Sequence, residues 1–333
     1  MKKILLTGCY RSGTEFASVL LNNHPQIISM MYVTNFMRYF YKRYSPVSKK
    51  NNYINLLKKA KRIIQERWNI NLNFELIKKK LTKKNINYGI IYKLIIQEIL
   101  KKKKINTKKI KFFLEKNQLI WRQIPSFLKM IKNSKAIIII RDPRSVMLSF
   151  KKYTYNPPPA YLGSVFNCYD VMQKSLKYKK IYKNILIIKY EDLILKENKT
   201  LREIYKFLNL STSKIYNNKK NFYDLTLNKK WKHNSTNKKI LFDSSNLYKW
   251  KKELTSEEIF FCEHINASLM KKFGYKICTN FENFNKYNFK KFFLNNKKIM
   301  LYYNKWLFKK KGIQEFPNNP LNPKNWEENN KNV

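Results

Sequence analysis

Short apolar runs alternate with amphipathic segments along most of the chain. In the amphipathic segments, apolar residues recur every three or four positions, which predicts helices. One of these helices is expected over 14–23, directly after the first strand. Four apolar runs predict buried strands, at residues 3–8, 111–115, 136–140 and 184–189. The third run contains four consecutive isoleucines, as expected for a parallel strand covered on both faces. The alternation of strands and helices predicts an α/β fold of three layers, in which helices flank a central parallel sheet.

The same pattern suggests how the chain is divided. Residues 1–279 are expected to form one domain, with a lysine-rich helical insertion at about 36–104. Residues 280–333 form a tail rich in lysine and aromatic residues, predicted to be helical or irregular, with a proline-punctuated end that is predicted to be disordered. The stretch 289–308 packs on the domain or lies on a membrane surface. No apolar stretch reaches the ~18 residues that span a bilayer. The first strand leaves no room for a signal peptide, so we expect a cytoplasmic protein.

Composition adds a strong positive charge, +49 over 333 residues. Clustered cations bind polyanions by releasing counterions, and the charge could also steer an anionic acceptor. However, Lys, Asn, Ile, Tyr and Phe are over-used together, as in proteins from AT-rich genomes, and arginine is scarce. A dedicated nucleic-acid function is therefore not indicated. The four cysteines are far apart and have no metal-ligand spacing, so we expect free thiols and no metal.

The loop between the first strand and the first helix has the chemistry of an anion site. Gly8 and Gly13 have P-loop spacing, and such a turn presents backbone N–H groups and a helix N-terminus to an anion. A nucleoside triphosphatase needs Lys and then Ser or Thr after the second glycine. This chain has Thr14 and Glu15 there, and its only loop cation is Arg11. The loop therefore fits an anion smaller than a triphosphate, held without a metal.

These residues resemble a known family. The sequence Thr-Gly-Cys-Tyr-Arg-Ser-Gly-Thr at 7–14, followed by a helix and by His-Pro-Gln-Ile at 24–27, resembles the 5′-phosphosulfate loop of the sulfotransferases. Its form is typical of their tyrosylprotein and bacterial carbohydrate branches. The resemblance implies 3′-phosphoadenosine 5′-phosphosulfate (PAPS) as sulfuryl donor, bound through Arg11, Ser12, Gly13 and Thr14. His24 is more simply explained as a residue that fixes the turn after the helix.

Later motifs fit the same family in the same order. Arg141 follows the isoleucine-rich strand, and Ser149 lies eight residues later. In the family, an arginine and a serine with this separation bind the donor's 3′-phosphate. A guanidinium offers a planar fork for such a contact, whereas Arg144 is expected to be structural. The sequence Tyr-Glu-Asp-Leu at 190–193 resembles a further family motif, as does Lys-Trp at 249–250. The donor-binding residues that these later motifs imply are Arg141, Ser149, Tyr190, Ser235 and Lys249.

The resemblance also implies catalytic residues. In-line transfer through a loose transition state needs cations on the sulfuryl and leaving oxygens, and Arg11 is the first choice, followed by Lys116. Residues 114–116 resemble the start of the family's strand-end turn, although Asn117 and Gln118 replace its Thr-Pro.

The acceptor needs a base, and the carboxylate of the tyrosylprotein branch is missing here. Glu115, Glu15 and His233 remain candidates, with Glu115 the first. The predicted function is sulfuryl transfer to a hydroxyl or amine, on a carbohydrate or another small molecule. The alternatives are a P-loop kinase-like phosphotransferase and an inactive basic polyanion-binding protein on the same scaffold.

Overall fold

The computed structural model describes residues 1–82, 85–153, 160–215, 222–231, 244–280 and 297–309, together with positions 290, 292 and 294. Its centre is a parallel sheet of five strands in the order β2-β3-β1-β4-β5. The strands are β1 (Lys2–Gly8), β2 (Ile27–Met31), β3 (Phe112–Lys116), β4 (Lys135–Ile140) and β5 (Ile185–Lys189). All four predicted strands are confirmed, and the predicted parallel sheet with them.

Within the central sheet, β2 is the strand that the sequence pattern did not predict. It has only five residues, and Ser29 interrupts its apolar run. The structure buries Ser29 all the same, because its hydroxyl hydrogen-bonds the hydroxyl of Ser18 at 2.7 Å. A polar residue in a buried strand needs such a partner, and this partner lies on a different element.

Helices connect and cover the strands. Helix α1 (Thr14–Leu21) follows β1, as predicted, and ends one turn before His24. Between β2 and β3 lie the helices of the predicted insertion, and the others follow β3. In chain order after α1 they are α2 (Phe36–Tyr39), α3 (Lys50–Trp68), α4 (Phe74–Lys79), α5 (Tyr88–Lys102), α6 (Ile124–Met130), α7 (Pro143–Tyr153), α8 (Ser164–Ile181), α9 (Tyr190–Leu195), α10 (Glu197–Leu208), α11 (Trp250–Glu253), α12 (Ser256–Lys272) and α13 (Lys297–Lys309). A short hairpin, β6 (Tyr223–Asp224) and β7 (Lys229–Lys230), lies between α10 and α11.

The two faces of the sheet bury separate apolar clusters. Ile137 and Ile139 of β4 point into a cluster with residues of α1 and α10. Ile138 and Ile140 point to the other face, into a cluster with residues of α3, α5, α7, α8 and α12. Successive side chains of a strand alternate between faces, so an all-apolar strand requires cover on both sides. This confirms the predicted three-layer fold.

The C-terminal helix α13 packs on the second of these clusters. Trp306 is buried, and its ring lies 6.1 Å from that of Phe166 and 5.3 Å from that of Tyr169, both on α8. The opposite side of α13 is exposed, and Phe308 is 87% exposed. No helix among the described residues combines the length and apolar character needed to cross a membrane. The boundary between domain and tail, and the membrane contact of the tail, stay predictions.

Candidate functional site

The loop after β1 is a tight turn in which only glycine fits at two positions. A Cβ on Gly8 would lie 2.6 Å from the Ile139 carbonyl oxygen and 2.7 Å from Ser12 Oγ. Gly13 has a φ of 89° and caps α1 without a side-chain hydrogen bond. Ser12 Oγ donates to the Cys9 carbonyl oxygen at 2.7 Å, so this hydroxyl closes the loop. The N-cap of α1 is thus a glycine, which has no side chain to occupy a helix end that can receive an anion.

Arg11 has a φ of 62°, in the left-handed region, which is unfavourable for a residue with a Cβ. This conformation sends its side chain towards α7, where Arg11 Nε donates to Ser149 Oγ at 2.9 Å. It also presents the Arg11 carbonyl oxygen to Arg141, whose Nη1 donates to it at 2.8 Å. The two arginines and Ser149, predicted from motifs 130 and more residues apart, therefore meet at one edge of the sheet.

Tyr190 completes this cluster. It is the first residue of α9, and the Arg141 guanidinium lies 4.6 Å from the centre of its ring. A Cβ on Gly13 would lie 2.1 Å from Tyr190 Cδ2, so the ring packs directly against the donor loop. The structure thus brings together five of the predicted donor-binding residues: Arg11, Gly13, Arg141, Ser149 and Tyr190. All of them lie where strands β1, β4 and β5 end, the edge at which α/β sheets bind ligands.

Arg144 lies beside this cluster but is fully engaged, as expected for a structural residue. It hydrogen-bonds both carboxylate oxygens of Asp142, at 2.9 and 2.6 Å, and Glu263 at 2.5 Å. Its guanidinium also lies 3.7 Å from the Trp250 ring centre. Burial alone would lower the pKa of Arg144, but the hydrogen bond and charge of Asp142 and the charge of Glu263 outweigh it and raise the pKa. Trp250 itself is buried in the core.

Lys116 and Glu15 form a pair at the end of β3. Lys116 is 0% exposed, and its Nζ lies 3.4 Å from Glu15 Oε1 and 3.6 Å from the centre of the Tyr32 ring. The Glu15 side chain is 35% exposed. Lys116 therefore offsets the negative charge that Glu15 would otherwise present beside the anion loop. The predicted catalytic role of Lys116 stays a prediction.

Glu115 points away from the loop into the protein. Its carboxylate accepts hydrogen bonds from Thr34 N, Thr34 Oγ1, Asn35 N and Tyr92 OH at 2.7–3.0 Å, and the residue is 2% exposed. Burial raises the pKa of the Glu115 carboxyl, and the hydrogen bonds partly oppose this. This geometry favours a role in holding the turn after β2, rather than contact with an acceptor. Its predicted role as base stays a prediction.

The remaining predicted residues are less closely tied to the cluster. Lys249 is exposed, in a segment held to α7 by the hydrogen bond from Ser145 Oγ to the Leu247 carbonyl oxygen at 2.8 Å. Ser235 and His233 lie outside the described residues.

The buried His24 accepts from Gln26 N at 3.1 Å, in agreement with its expected role in the turn. Burial, and secondarily the nearby Lys111, lower the pKa of His24.

Sequence reasoning missed the contacts of Thr14. Its hydroxyl accepts from Gln118 Nε2 at 2.9 Å, and Gln118 Oε1 accepts from Tyr32 OH at 2.6 Å. The only available signal was the departure at 117–118 from the family's Thr-Pro. Nothing in the sequence indicated that Tyr32, at a φ of 55° after β2, would reach this position.

Two arginines, a helix N-terminus capped by glycine and a hydroxyl lie together at the carboxyl edge of the parallel sheet, an arrangement that suits a multiply charged anionic ligand. The structure describes no group of three or more His, Cys, Asp and Glu side chains that could hold a metal ion. Such a site is typical of enzymes that transfer a group from an anionic donor by charge stabilisation.

The sequence profile of the sulfotransferase family matches residues 3–214, so the chain belongs to this family. Family membership supports sulfuryl transfer as the general activity, and it does not favour the kinase-like or polyanion-binding alternatives. No curated protein matches the sequence.

One solved structure agrees with the fold, and others are less similar. The sulfotransferase domain of the olefin synthase of Synechococcus PCC 7002 is 18% identical, covers 83% of this chain and 95% of its own, and has a TM-score of 0.55. The sulfotransferase domain from the curacin biosynthetic pathway is 18% identical, with 83% and 99% covered and a TM-score of 0.49. Mouse sulfotransferase SULT7A1, complexed with PAP, is 14% identical, with 81% and 84% covered and a TM-score of 0.40. At these identities the likeness concerns the fold.

Proposed function

We propose that the protein transfers a sulfuryl group from PAPS to a hydroxyl or amine of a carbohydrate or another small molecule. The observation that carries this proposal is the cluster in which Arg11 bonds Ser149 and Arg141 bonds the Arg11 carbonyl. PAPS carries anionic groups at both its 3′ and 5′ positions, so its site needs cations from two separate elements. The loop after β1 and the end of β4 supply them.

The geometry suggests a division of labour at the donor. In the observed bond Arg11 Nε is the donor and Ser149 Oγ the acceptor, so the Ser149 hydrogen remains available for a phosphate oxygen. Arg141 uses one of its five N–H donors on the Arg11 carbonyl and has others for a bidentate phosphate contact. We therefore assign the 3′-phosphate to Arg141 and Ser149. The ring of Tyr190 supports the Arg141 guanidinium from behind.

At the 5′ end, the loop residues Ser12, Gly13 and Thr14 place the N-terminus of α1 against the phosphosulfate. In the transfer, the bond from sulfur to the bridging oxygen breaks and a bond from sulfur to the acceptor oxygen or nitrogen forms. Negative charge then develops on the bridging oxygen. Arg11 is proposed to stabilise that charge because it lies on the loop itself, and Lys116, paired with Glu15, is proposed as a second cation.

The acceptor proton leaves to a base as the new bond forms. Glu15 is the partly exposed carboxylate among the described candidates, and it lies at the start of α1 beside Lys116. We propose Glu15 ahead of the fully hydrogen-bonded Glu115. Ser235 and Lys249 are proposed to contact the donor from the segment that precedes α11.

When PAPS gives up its sulfuryl group, 3′-phosphoadenosine 5′-phosphate (PAP) remains. Binding of PAP tests the donor site. Titration calorimetry at low salt should show wild-type binding, and Arg141→Ala should weaken it by about tenfold to a hundredfold, because a charge-assisted contact is lost. Arg62→Ala on α3 is the matched control, since it removes an exposed arginine paired with Glu66. It corrects for the general effect of lowering the large positive charge. Equal binding by Arg141→Ala and Arg62→Ala would contradict the donor assignment.

Activity on an unknown acceptor is tested separately. The protein is incubated with PAPS and fractionated small molecules and carbohydrates, and products are sought by mass spectrometry as compounds that have gained one SO₃. We expect such products with the wild type and strongly reduced amounts with Arg11→Ala. Products that form equally without PAPS would refute sulfuryl transfer from this donor.

A further inference from the structure

Gln118 lies directly behind the donor loop. The backbone on either side of it is pinned to β1, because Asn117 N donates to the Leu6 carbonyl oxygen at 2.8 Å and Leu119 N donates to the Gly8 carbonyl oxygen at 3.1 Å. Its own carbonyl oxygen accepts from Arg38 Nη2 at 2.8 Å. The position of Gln118 relative to the loop is therefore set by three backbone contacts, two of which are to the strand that leads into the loop.

The side chain of Gln118 is 5% exposed and uses both ends of its amide. Nε2 donates to Thr14 Oγ1 at 2.9 Å, and Oε1 accepts from Tyr32 OH at 2.6 Å. Gln118 thus joins the first residue of α1 to the residue that follows β2. Residues at the ends of three neighbouring strands are connected by one buried amide.

This contact decides where the Thr14 hydroxyl hydrogen points. A hydroxyl group has one hydrogen and two lone pairs, and in the observed orientation the Gln118 amide occupies a lone pair. The hydrogen is then left to donate to another acceptor at the N-terminus of α1. With the amide reversed, the Thr14 hydroxyl would donate its hydrogen bond to the amide oxygen of Gln118. In the observed orientation Oε1 accepts from Tyr32 OH, so both ends of the amide are hydrogen-bonded.

We propose that Gln118 is a positioning residue that orients the Thr14 hydroxyl to donate a hydrogen bond to the 5′ end of the donor, with Tyr32 holding the other end of its amide. This inference rests on the proposed function. Gln118 acts through Thr14 and does not itself contact the donor. It takes the place of the family's proline, a residue that has no side-chain hydrogen-bonding group.

The substitution Gln118→Glu tests the direction of the hydrogen bond, because it keeps the shape of the side chain. As a carboxylate, the new side chain accepts hydrogen bonds from both Tyr32 and Thr14. The Thr14 hydroxyl can then no longer donate to the 5′ end of the sulfuryl donor. We expect PAP affinity at pH 8 to fall by about tenfold to a hundredfold. As the pH is lowered and the carboxyl becomes protonated, it again resembles the amide, and the affinity should return towards that of the wild type. Gln97→Glu, at an exposed glutamine of α5, is the matched control for the added charge.

A second set of variants separates the hydrogen bond from the charge. If Gln118 acts through the hydroxyl, its substitution by Glu should cost less PAP affinity in a Thr14→Val background than in the wild type, and Tyr32→Phe should show a partial loss. Unfolding in urea, followed by tryptophan fluorescence, establishes that each variant is folded.

Three results would overturn the proposal. These are unchanged affinity of Gln118→Glu at pH 8, a loss that does not recover at low pH, and an equal loss with and without the Thr14 hydroxyl. A folded wild-type protein that does not bind PAP at all would instead refute the proposed function, and this inference with it.

Discussion

Replacement of Gly13 by alanine tests the packing of the donor loop most directly. Gly13 has a φ of 89°, and a Cβ there would lie 2.1 Å from Tyr190 Cδ2 and 2.5 Å from Cε2. Carbon atoms in contact are normally about 3.5 Å apart or more, so the ring would have to move. It is buried between the Phe16 ring, at 6.3 Å between centres, and the Arg141 guanidinium, at 4.6 Å from its centre. A shift of the ring therefore disturbs the donor site.

The cost has two parts. The left-handed backbone costs an alanine about 1–2 kcal/mol, and overpacking a tight interior typically costs about 1–3 kcal/mol. Gly13→Ala should therefore lower the free energy of unfolding by about 2–5 kcal/mol and weaken PAP binding. Gly274→Ala is a matched control, because Gly274 has a φ of 73° and the nearest atom to its Cβ would be Lys189 Nζ at 4.0 Å. It carries only the backbone cost.

Urea unfolding followed by tryptophan fluorescence measures these differences. A double-mutant cycle with Tyr190→Ala isolates the contact. In the Tyr190→Ala background, Gly13→Ala should cost about 1–2 kcal/mol, like Gly274→Ala. The reasoning is refuted if Gly13→Ala costs the same with and without the Tyr190 ring, or no more than Gly274→Ala.

Three further predictions concern buried charges. Burial, and secondarily the charge of Lys93, lowers the pKa of Lys3 to about 8, while Glu115 opposes this. Between pH 8 and 10.5 the unfolded chain holds a proton on Lys3 that the folded chain has lost. The free energy of unfolding should therefore rise by about 3 kcal/mol over this range. Urea titrations at several pH values measure this rise, and Lys3→Met should remove it. Glu263→Ala leaves Arg144 without one of its two buried carboxylate partners. This substitution should destabilise the protein by about 3–5 kcal/mol, measured by thermal unfolding. A loss below about 1 kcal/mol would contradict the buried pair. Lys116→Met should reduce the rate of sulfuryl transfer about a hundredfold or more. The affinity for PAP, measured by calorimetry, should change little. A loss of affinity without a loss of rate would exclude the catalytic role.

The sequence alone predicted the parts of the protein that depend on local pattern. A short apolar run such as 136–140 is typical of a strand covered on both faces, and the spacing of Gly8 and Gly13 between a strand and a helix is a local feature of the chain. The pair Arg141 and Ser149 came from the resemblance to the sulfotransferases, and the motif is local, because it spans a strand end and two turns of the following helix. The five-residue strand β2 escaped prediction because Ser29 breaks its pattern, and its partner Ser18 lies on α1.

Only the tertiary structure decided how the site is assembled. Arg11 reaches Ser149 across 138 residues, Lys116 pairs with Glu15 across 101, and Gln118 bonds Thr14 across 104. These contacts depend on the order of the strands, which places β1 between β3 and β4. No local periodicity encodes that order. For this reason the sequence could propose Glu115 as a base, while the fold turned its carboxylate inward to Thr34 and Tyr92.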